Sequence, residues 1–193
     1  VTSSVGYVEP RRTVEGGVVN AHDSGVVQDP ASGTFYLYGI SFGTNCTDFN
    51  NCAAACMHDM KSTGFVAYSS ASLSGPWKLE ATQLTRGFGG GDCFKVHRNP
   101  ATKRYIAVWR GGCPRGTSPP SQTCAMAAES TAPVGPFANP VVLALCNRSS
   151  QAGFHVDQNG KGWAWCNTYT APHLMYSKQC VHELTDDWMN STG

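Results

Sequence analysis

The chain has little charge and no long hydrophobic run. Of its 193 residues, 14% are charged, and 14 lysines and arginines against 13 aspartates and glutamates leave a formal net charge of +1. That balance gives no electrostatic attraction to nucleic acid or to an anionic membrane. No apolar stretch approaches the about 20 residues that a membrane-spanning helix needs. The sequence therefore predicts neither nucleic-acid nor membrane partners.

Motifs for nucleophilic hydrolysis and for metal binding are missing as well. The sequence has no Gly-x-Ser-x-Gly motif, so a serine hydrolase is not supported. Only Cys52 and Cys56 stand at the close spacing typical of metal ligands. A zinc site would need a second such pair, or histidines in register, and His58 alone does not complete one. We therefore expect no metal and no cofactor.

A hairpin with polar residues at its start occurs three times along the chain. The first copy has His22 and Asp23 at the start of a short strand, then an Asp-Pro and Gly turn, then an aromatic-rich strand at 35–39. A second copy at 92–109 matches it turn for turn, and a third at 153–166 is weaker. Each unit holds about four strands at a period of about 60 to 70 residues, which is typical of β-propeller blades.

The predicted fold is therefore all-β, a propeller of four-stranded antiparallel blades, three of which are visible. Low charge, 21 glycines and 11 prolines fit short strands joined by tight turns. We assign 1–18 to an N-terminal extension, 19–86 to blade one, 87–145 to blade two and 146–193 to blade three. Because Val1 stands first and no secretory hydrophobic region follows, we expect a mature or trimmed chain.

Nine cysteines predict a disulfide-bonded, extracellular protein, because such a density is rare in cytosolic chains. Two local closures are predicted, one within a loop from Cys46 to Cys56 and one between Cys113 and Cys124. The other connections stay open, and an odd count leaves one thiol free or bonded to another chain. The cysteines expected in disulfides are Cys46, Cys52, Cys56, Cys93, Cys113, Cys124, Cys146, Cys166 and Cys180.

Three glycosylation sequons agree with a secreted glycoprotein. They begin at Asn45, Asn147 and Asn190, each in a predicted loop or near the end of the sequence. One such motif is common by chance. Three of them beside many cysteines favour secretion.

In this order, the segments resemble glycoside hydrolase family 43. The resemblance rests on Asn20-Ala21-His22-Asp23 before the first strand, on the Gly-Pro-aromatic turns at 75–77 and 135–137, and on the Leu-Thr-Asp-Asp-Trp run at 184–188. It covers nearly the whole chain from 19 onward and is strongest toward the branch with exo-acting galactanases. It implies a five-bladed propeller whose innermost strands meet at a central pocket, and inverting hydrolysis by paired carboxylates.

The resemblance also implies roles for individual residues. Asp23 falls on the general-base position, His22 on its pocket-lining neighbour, and Asp92 near a substrate-contacting acid at the start of blade two. The acid that tunes the proton donor falls at Gln151, which has no charge and cannot raise a neighbouring pKa by repulsion. The donor glutamate belongs to the family's fourth blade. Structural roles are the alternative, with Asp23 and Asp92 as turn residues and His22 as a packing residue.

Two functions from different classes follow. One is a secreted, catalytically incomplete propeller that binds galactan- or arabinan-like carbohydrate or its own glycans, or that builds assemblies by self-association or an intermolecular disulfide. The other is an active inverting glycosidase on galactan or arabinan, with Asp23 as the base and an acid supplied by further blades. The uncharged Gln151 favours the first, and whether the protein is an enzyme is left open.

Overall fold

The structure is a computed structural model that describes residues 10–42, 62–85, 91–113, 123–143, 149–168 and 178–192. Every regular element in these ranges is a β-strand, and none of them contains a helix that could cross a bilayer. The strands are β1 (His22–Gln28), β2 (Phe35–Phe42), β3 (Ser62–Ser70), β4 (Lys78–Thr82), β5 (Gly91–Arg98), β6 (Tyr105–Gly112), β7 (Thr123–Ser130), β8 (Ala138–Val142), β9 (Ser149–Val156), β10 (Gly162–Thr168) and β11 (Lys178–Glu183).

The strands form three antiparallel sheets, each from consecutive strands. Their orders are β1-β2-β3-β4, β5-β6-β7-β8 and β11-β10-β9, and we call them blades one, two and three. In the described residues, blade three has three strands. The first strand of each blade contacts the first strand of the next, β1 with β5 and β5 with β9. The predicted all-β architecture of antiparallel blades is confirmed.

A polar residue recurs at the same turn position in all three blades, and in blades one and two it also forms a hydrogen bond with the next blade. Asp29, Asn99 and Asp157 follow the first strands, and each side chain accepts a hydrogen bond from a backbone N–H two or three residues further on. The Tyr105 hydroxyl of blade two donates to Asp29 Oδ1 at 2.9 Å, and Asn99 Nδ2 donates to the backbone oxygen of Asp186 at 2.8 Å. The turns that shape the hairpins therefore also join the blades.

Two apolar layers lie between the blades. Blades one and two enclose an aromatic cluster in which the Phe65 and Phe94 rings stack at 4.2 Å and Trp109 is fully buried. Between blades two and three, Phe154 packs edge-on against Trp188, with ring centroids 5.5 Å apart. Because β6 contributes buried residues to both layers, blade two is the centre of the described fold.

The N-terminal segment packs on the outer face of blade one. Trp77 is fully buried there, its backbone N–H donates to the oxygen of Arg12 at 2.9 Å, and Val14 N–H donates back to the Trp77 oxygen at 3.0 Å. Val19 and Ala21 pack against the same cluster. Residues 12–21 therefore cover an apolar face that blade one could not bury alone.

The corresponding outer face of blade three carries aromatic side chains. Trp163 pairs with His155 and Trp165 with Gly153 in the sheet ladder, and both tryptophans are only half-buried. Val181, opposite Trp165 on β11, is 65% exposed. Trp163 and Trp165 are thus less buried than Trp77 and Trp109, which are fully buried.

The cysteines depart in part from the disulfide framework expected from the sequence. Cys113 and Cys124 are bonded, which closes the loop between β6 and β7 as predicted, and Cys166 is also in a disulfide. Cys93 and Cys180 are free thiols, contrary to expectation. Cys180 lies opposite Cys166 in the ladder, but the sulfur of Cys166 is already bonded elsewhere.

Several sequence predictions lie outside the described residues. These are Cys46, Cys52, Cys56 and Cys146, and the sequons at Asn45 and Asn147. Asn190 is described: it is exposed and lies in the turn that follows β11.

Candidate functional site

The first strands of blades one and two are irregular at the same place near their starts. The pairing of β1 with β2 shifts between His22 and Gly25, and that of β5 with β6 shifts between Asp92 and Lys95. Asp23 and Cys93 follow His22 and Asp92 and have positive φ values, 48° and 57°. A bulge with a left-handed residue bends the strand and redirects a side chain out of the normal alternation.

The same position in blade three is Gln151. Asp23, Cys93 and Gln151 stand equally far before the repeated turn residues Asp29, Asn99 and Asp157. Gln151 pairs with Asn167 in the ladder, next to another register shift. Its side chain lies outside what the structure describes. The strand that carries Cys93 contacts both the strand that carries Asp23 and the strand that carries Gln151.

Asp23 presents its carboxylate to solvent. The residue is exposed, and no described residue donates a hydrogen bond to its carboxylate. Its negative charge acts on the neighbouring His22, Cys93 and Lys95, since it opposes the lowering of the pKa values of His22 and Lys95 and helps to raise the pKa of Cys93. An unpaired, exposed carboxylate at this position can accept hydrogen bonds from a ligand.

Asp92, in contrast, is held by an arginine. It lies opposite Arg110 in the ladder between β5 and β6, and Arg110 Nη2 forms an ion pair with Asp92 Oδ2. The two side chains are 24% and 27% exposed. A carboxylate bound to a guanidinium is a hydrogen-bond acceptor whose charge is already compensated, and it serves poorly as a proton donor.

Cys93 contributes a neutral thiol. Burial raises its pKa to about 11, with a smaller contribution from the charges of Asp92 and Asp23, while a hydrogen bond with the backbone of Ala152 acts in the opposite direction. That contact connects β5 to β9. Because the thiolate is the reactive form, a thiol with so high a pKa is a poor nucleophile at neutral pH.

His22 completes the described site. Burial lowers its pKa more than the charge of Asp23 raises it, so the imidazole is neutral at pH 7 and offers one donor and one acceptor. Its ring lies edge-on to Phe42 with centroids 4.7 Å apart. The Asn20 side chain exchanges two hydrogen bonds with the backbone of Phe42, which fixes the end of β2 beside the ring.

Lys95 crosses from blade two to blade one. Its ammonium donates to the backbone oxygen of Asp23 at 2.8 Å, and its pKa is lowered by burial. Lys95 and Arg110 were not among the residues predicted from the sequence, and Cys93 was predicted only as a disulfide cysteine. The sequence could have shown that Cys93 belongs to the site, because Cys93 occupies the position in the repeat that Asp23 occupies in blade one. For Lys95 and Arg110 the sequence gives no such signal, since each acts through a neighbouring strand.

The described site can bind polar groups, but it does not contain two carboxylates that suit inverting hydrolysis. Inversion needs a base and a protonated acid about 6.5 to 9.5 Å apart. Here no described residue donates a hydrogen bond to the Asp23 carboxylate, Asp92 is bound to Arg110, and Cys93 occupies the matching bulge. Within the described ranges, no group of three or more histidine, cysteine, aspartate or glutamate residues could hold a metal.

Several solved structures are similar to this chain in fold. A putative exo-β-1,3-galactanase from Bifidobacterium bifidum s17 aligns with 95% of the chain at a TM-score of 0.66 and 18% identity. A family 43 β-1,3-galactosidase aligns with 95% at a TM-score of 0.65 and 24% identity. This chain has the fold of a partial family 43 propeller. A variant exo-β-1,3-galactanase from Phanerochaete chrysosporium with β-1,3-galactotriose aligns with 96% of this chain at a TM-score of 0.65 and 15% identity.

The sequence corresponds to only part of each of these structures. It spans 55%, 36% and 40% of their respective lengths. No protein-family model and no curated protein matches the sequence. The resemblance deduced from the sequence is thus confirmed at the level of fold, and the chemistry has to be argued from the residues of this chain.

Proposed function

We propose that this family 43-type propeller binds galactan-type carbohydrate at the site of His22, Asp23 and Asp92, and that its own residues do not hydrolyse it. One observation carries the proposal. Asp23 has a carboxylate to which no described residue donates a hydrogen bond, whereas Asp92 is held by Arg110 and the two positions equivalent to Asp23 are Cys93 and Gln151. A base without an acid partner can bind a sugar but cannot complete an inverting displacement.

The chemistry of the site suits sugar hydroxyls. The Asp23 carboxylate accepts hydrogen bonds, and neutral His22 both donates and accepts. Hydrogen bonds to a charged acceptor contribute about 1.5 to 3 kcal/mol each, more than neutral ones. The choice of galactan is supported by three of the similar proteins, which are named as β-1,3-galactanases or a β-1,3-galactosidase, one of them with β-1,3-galactotriose.

The same proposal places the protein outside the cell as a glycoprotein. The Cys113–Cys124 disulfide and the exposed sequon at Asn190 support this location. Cys180, a free thiol on the outer strand of blade three, supports an assembly role through an intermolecular disulfide as a further structural function. A dimer band on a non-reducing gel that a Cys180→Ser variant lacks would support that role, and a monomer in both would contradict it.

An active inverting glycosidase is the second candidate. It is favoured by the exposed Asp23 carboxylate at the position where the resemblance expects the base. The acid would then come from residues outside this sequence, which spans 36% to 55% of the three similar structures described above.

Calorimetry with β-1,3-galactotriose tests the binding, with chromatography of the same mixture to detect released galactose. We expect binding without hydrolysis. Asp23→Asn should weaken binding about 10- to 100-fold, as expected for the loss of a charged hydrogen-bond acceptor. Asp186→Asn, in an exposed turn beyond β11, is the matched control and should bind normally.

Two results would overturn the proposal. Galactose release that Asp23→Asn abolishes would favour the glycosidase. Absence of binding by the folded parent protein would remove galactan-type carbohydrate as the ligand.

A further inference from the structure

We propose that Lys95 is a positioning residue that holds Asp23 in its left-handed conformation, and that Gly25 is a glycine because the Lys95 side chain passes over it. The effect on ligand affinity rests on the proposed function. The effect on Asp23 itself does not.

The contact lies where blade two meets blade one. Lys95 Nζ donates to the backbone oxygen of Asp23 at 2.8 Å, and its chain lies across β1. A Cβ built on Gly25 would stand 3.1 Å from Lys95 Cδ, 3.7 Å from Nζ and 3.9 Å from Cε. A side chain at 25 would therefore be in tighter than ordinary contact with the aliphatic part of Lys95, and the lysine chain would have to shift by a few tenths of an ångström.

The backbone of Gly25 does not itself require glycine. Its φ is not in the left-handed region, unlike that of Asp23 at 48°. A glycine inside a strand weakens the strand and often marks the close approach of another group. Here that group is Lys95, so the Gly25–Lys95 pair is a steric match between two blades.

Only blade two has a side chain at this place in the repeat. The positions equivalent to Lys95 are Gly25 and Gly153, and at Gly153 the space is filled from within blade three, because an added Cβ would stand 2.0 Å from the Trp165 ring. The lysine is therefore a feature of one blade and not of the repeated scaffold, which points to a role at the site.

The hydrogen bond from Lys95 holds the backbone of Asp23, whose φ lies in the left-handed region. A non-glycine residue in the left-handed region is disfavoured and persists when its surroundings hold it. A charge-assisted hydrogen bond in a partly buried setting is stronger than a neutral one. Lys95 meets both conditions, since burial lowers its pKa and the nearby Asp23 charge favours the ammonium form. The direction of the Asp23 carboxylate then depends on a residue that need not touch the ligand.

Two variants test the inference, and a third variant is the matched control. Lys95→Met keeps an aliphatic chain over Gly25 and removes the ammonium. Gly25→Ala keeps the ammonium and displaces the chain that carries it. Lys103→Met is the control, because Lys103 Nζ also donates to a backbone oxygen, that of Pro100 at 2.6 Å, but in the turn between β5 and β6.

The first readout is the conformation of Asp23. Its ¹³Cα and ¹³Cβ chemical shifts report the backbone conformation, and we expect them to move away from left-handed values in Lys95→Met and Gly25→Ala but not in Lys103→Met. Lys95→Arg, which restores a cation, should return them toward the parent values. Unchanged Asp23 shifts in a folded Lys95→Met protein would overturn the proposal.

The second readout is the affinity for β-1,3-galactotriose. We expect both site variants to lose about tenfold, because a carboxylate that is no longer preorganised costs affinity. Shifted Asp23 signals with unchanged affinity would overturn the positioning role. If the parent protein does not bind the trisaccharide, the proposed function fails, and the chemical shifts alone decide whether Lys95 holds Asp23.

Discussion

The hydrogen bond between Tyr105 and Asp29 offers a sharp test of how the blades hold together. Tyr105 is 7% and Asp29 4% exposed, and the hydroxyl donates to Asp29 Oδ1 at 2.9 Å across the interface of blades one and two. Removing the hydroxyl in Tyr105→Phe leaves the ring in place. A buried hydrogen bond to a charged group contributes about 1.5 to 3 kcal/mol, so we expect a loss of about 2 kcal/mol.

That loss should be visible as a lower melting temperature. For a chain of this size, 1 kcal/mol corresponds to about 2 to 4 °C, so the expected decrease is about 4 to 8 °C. Tyr68→Phe is the matched control, because the Tyr68 oxygen only accepts a neutral hydrogen bond from the Asn20 N–H at 3.3 Å. Its loss should be clearly smaller, and equal losses in the two variants would refute the reasoning.

The same hydrogen bond predicts a pH dependence. Burial acts to raise the pKa of Asp29, but hydrogen bonds from Ser32, Tyr105 and the backbone outweigh it and lower the pKa below its ordinary value. A depressed carboxyl pKa adds stability above the unfolded-state pKa of about 3.9, and that stability disappears as the pH falls through the folded-state value. In urea titrations, the free energy of unfolding should therefore fall less in Tyr105→Phe than in the parent as the pH is lowered from about 5 to about 2, roughly the range in which a carboxyl group titrates. An equal loss of stability with falling pH in the two proteins would contradict this prediction.

Three further predictions concern single residues. Gly153→Ala should destabilise the protein by about 1 to 3 kcal/mol in thermal unfolding, because the new Cβ would stand 2.0 Å from the Trp165 ring, whereas Gly112→Ala, with nothing within 4 Å, should not. His97 should titrate in NMR spectra at about pH 4, since burial lowers its pKa, and its stabilising effect should be lost as the pH falls from about 6.5. A midpoint near 6.5 would refute that burial. Cys93 should react slowly with iodoacetamide at pH 7.5 as a working condition, since its pKa is raised to about 11, and fast alkylation of the native protein would be the contrary result.

Much of the fold could be predicted because turn residues that act locally define each repeated hairpin. The turn residues Asp29, Asn99 and Asp157 act within a few positions of themselves, so their spacing alone reveals the hairpins. The Cys113–Cys124 disulfide was predictable for the same reason, since it closes a short loop. The roles of Asp23 and Gln151, in contrast, came from the family resemblance and stay predictions.

The rest depends on contacts between strands that are far apart in sequence. Arg110 holds Asp92 through the register of β5 and β6, and Lys95 reaches Asp23 from another blade. The free thiol of Cys93 could not be predicted from cysteine counting, because counting does not show which sulfurs the fold brings together. The bulges at Asp23 and Cys93 likewise appear only once each strand has a partner.

The links between successive blades also bear on how this molecule comes apart. Tyr105 joins blade two to blade one, and Asn99 joins it to blade three, so the middle blade is tied on both sides. Among the described blades, blade two must break both of these links to separate, whereas blade one or blade three breaks one. Backbone amides of β6 should therefore exchange with deuterated water more slowly than those of β11, so that the described blades separate in steps and not as a single cooperative block.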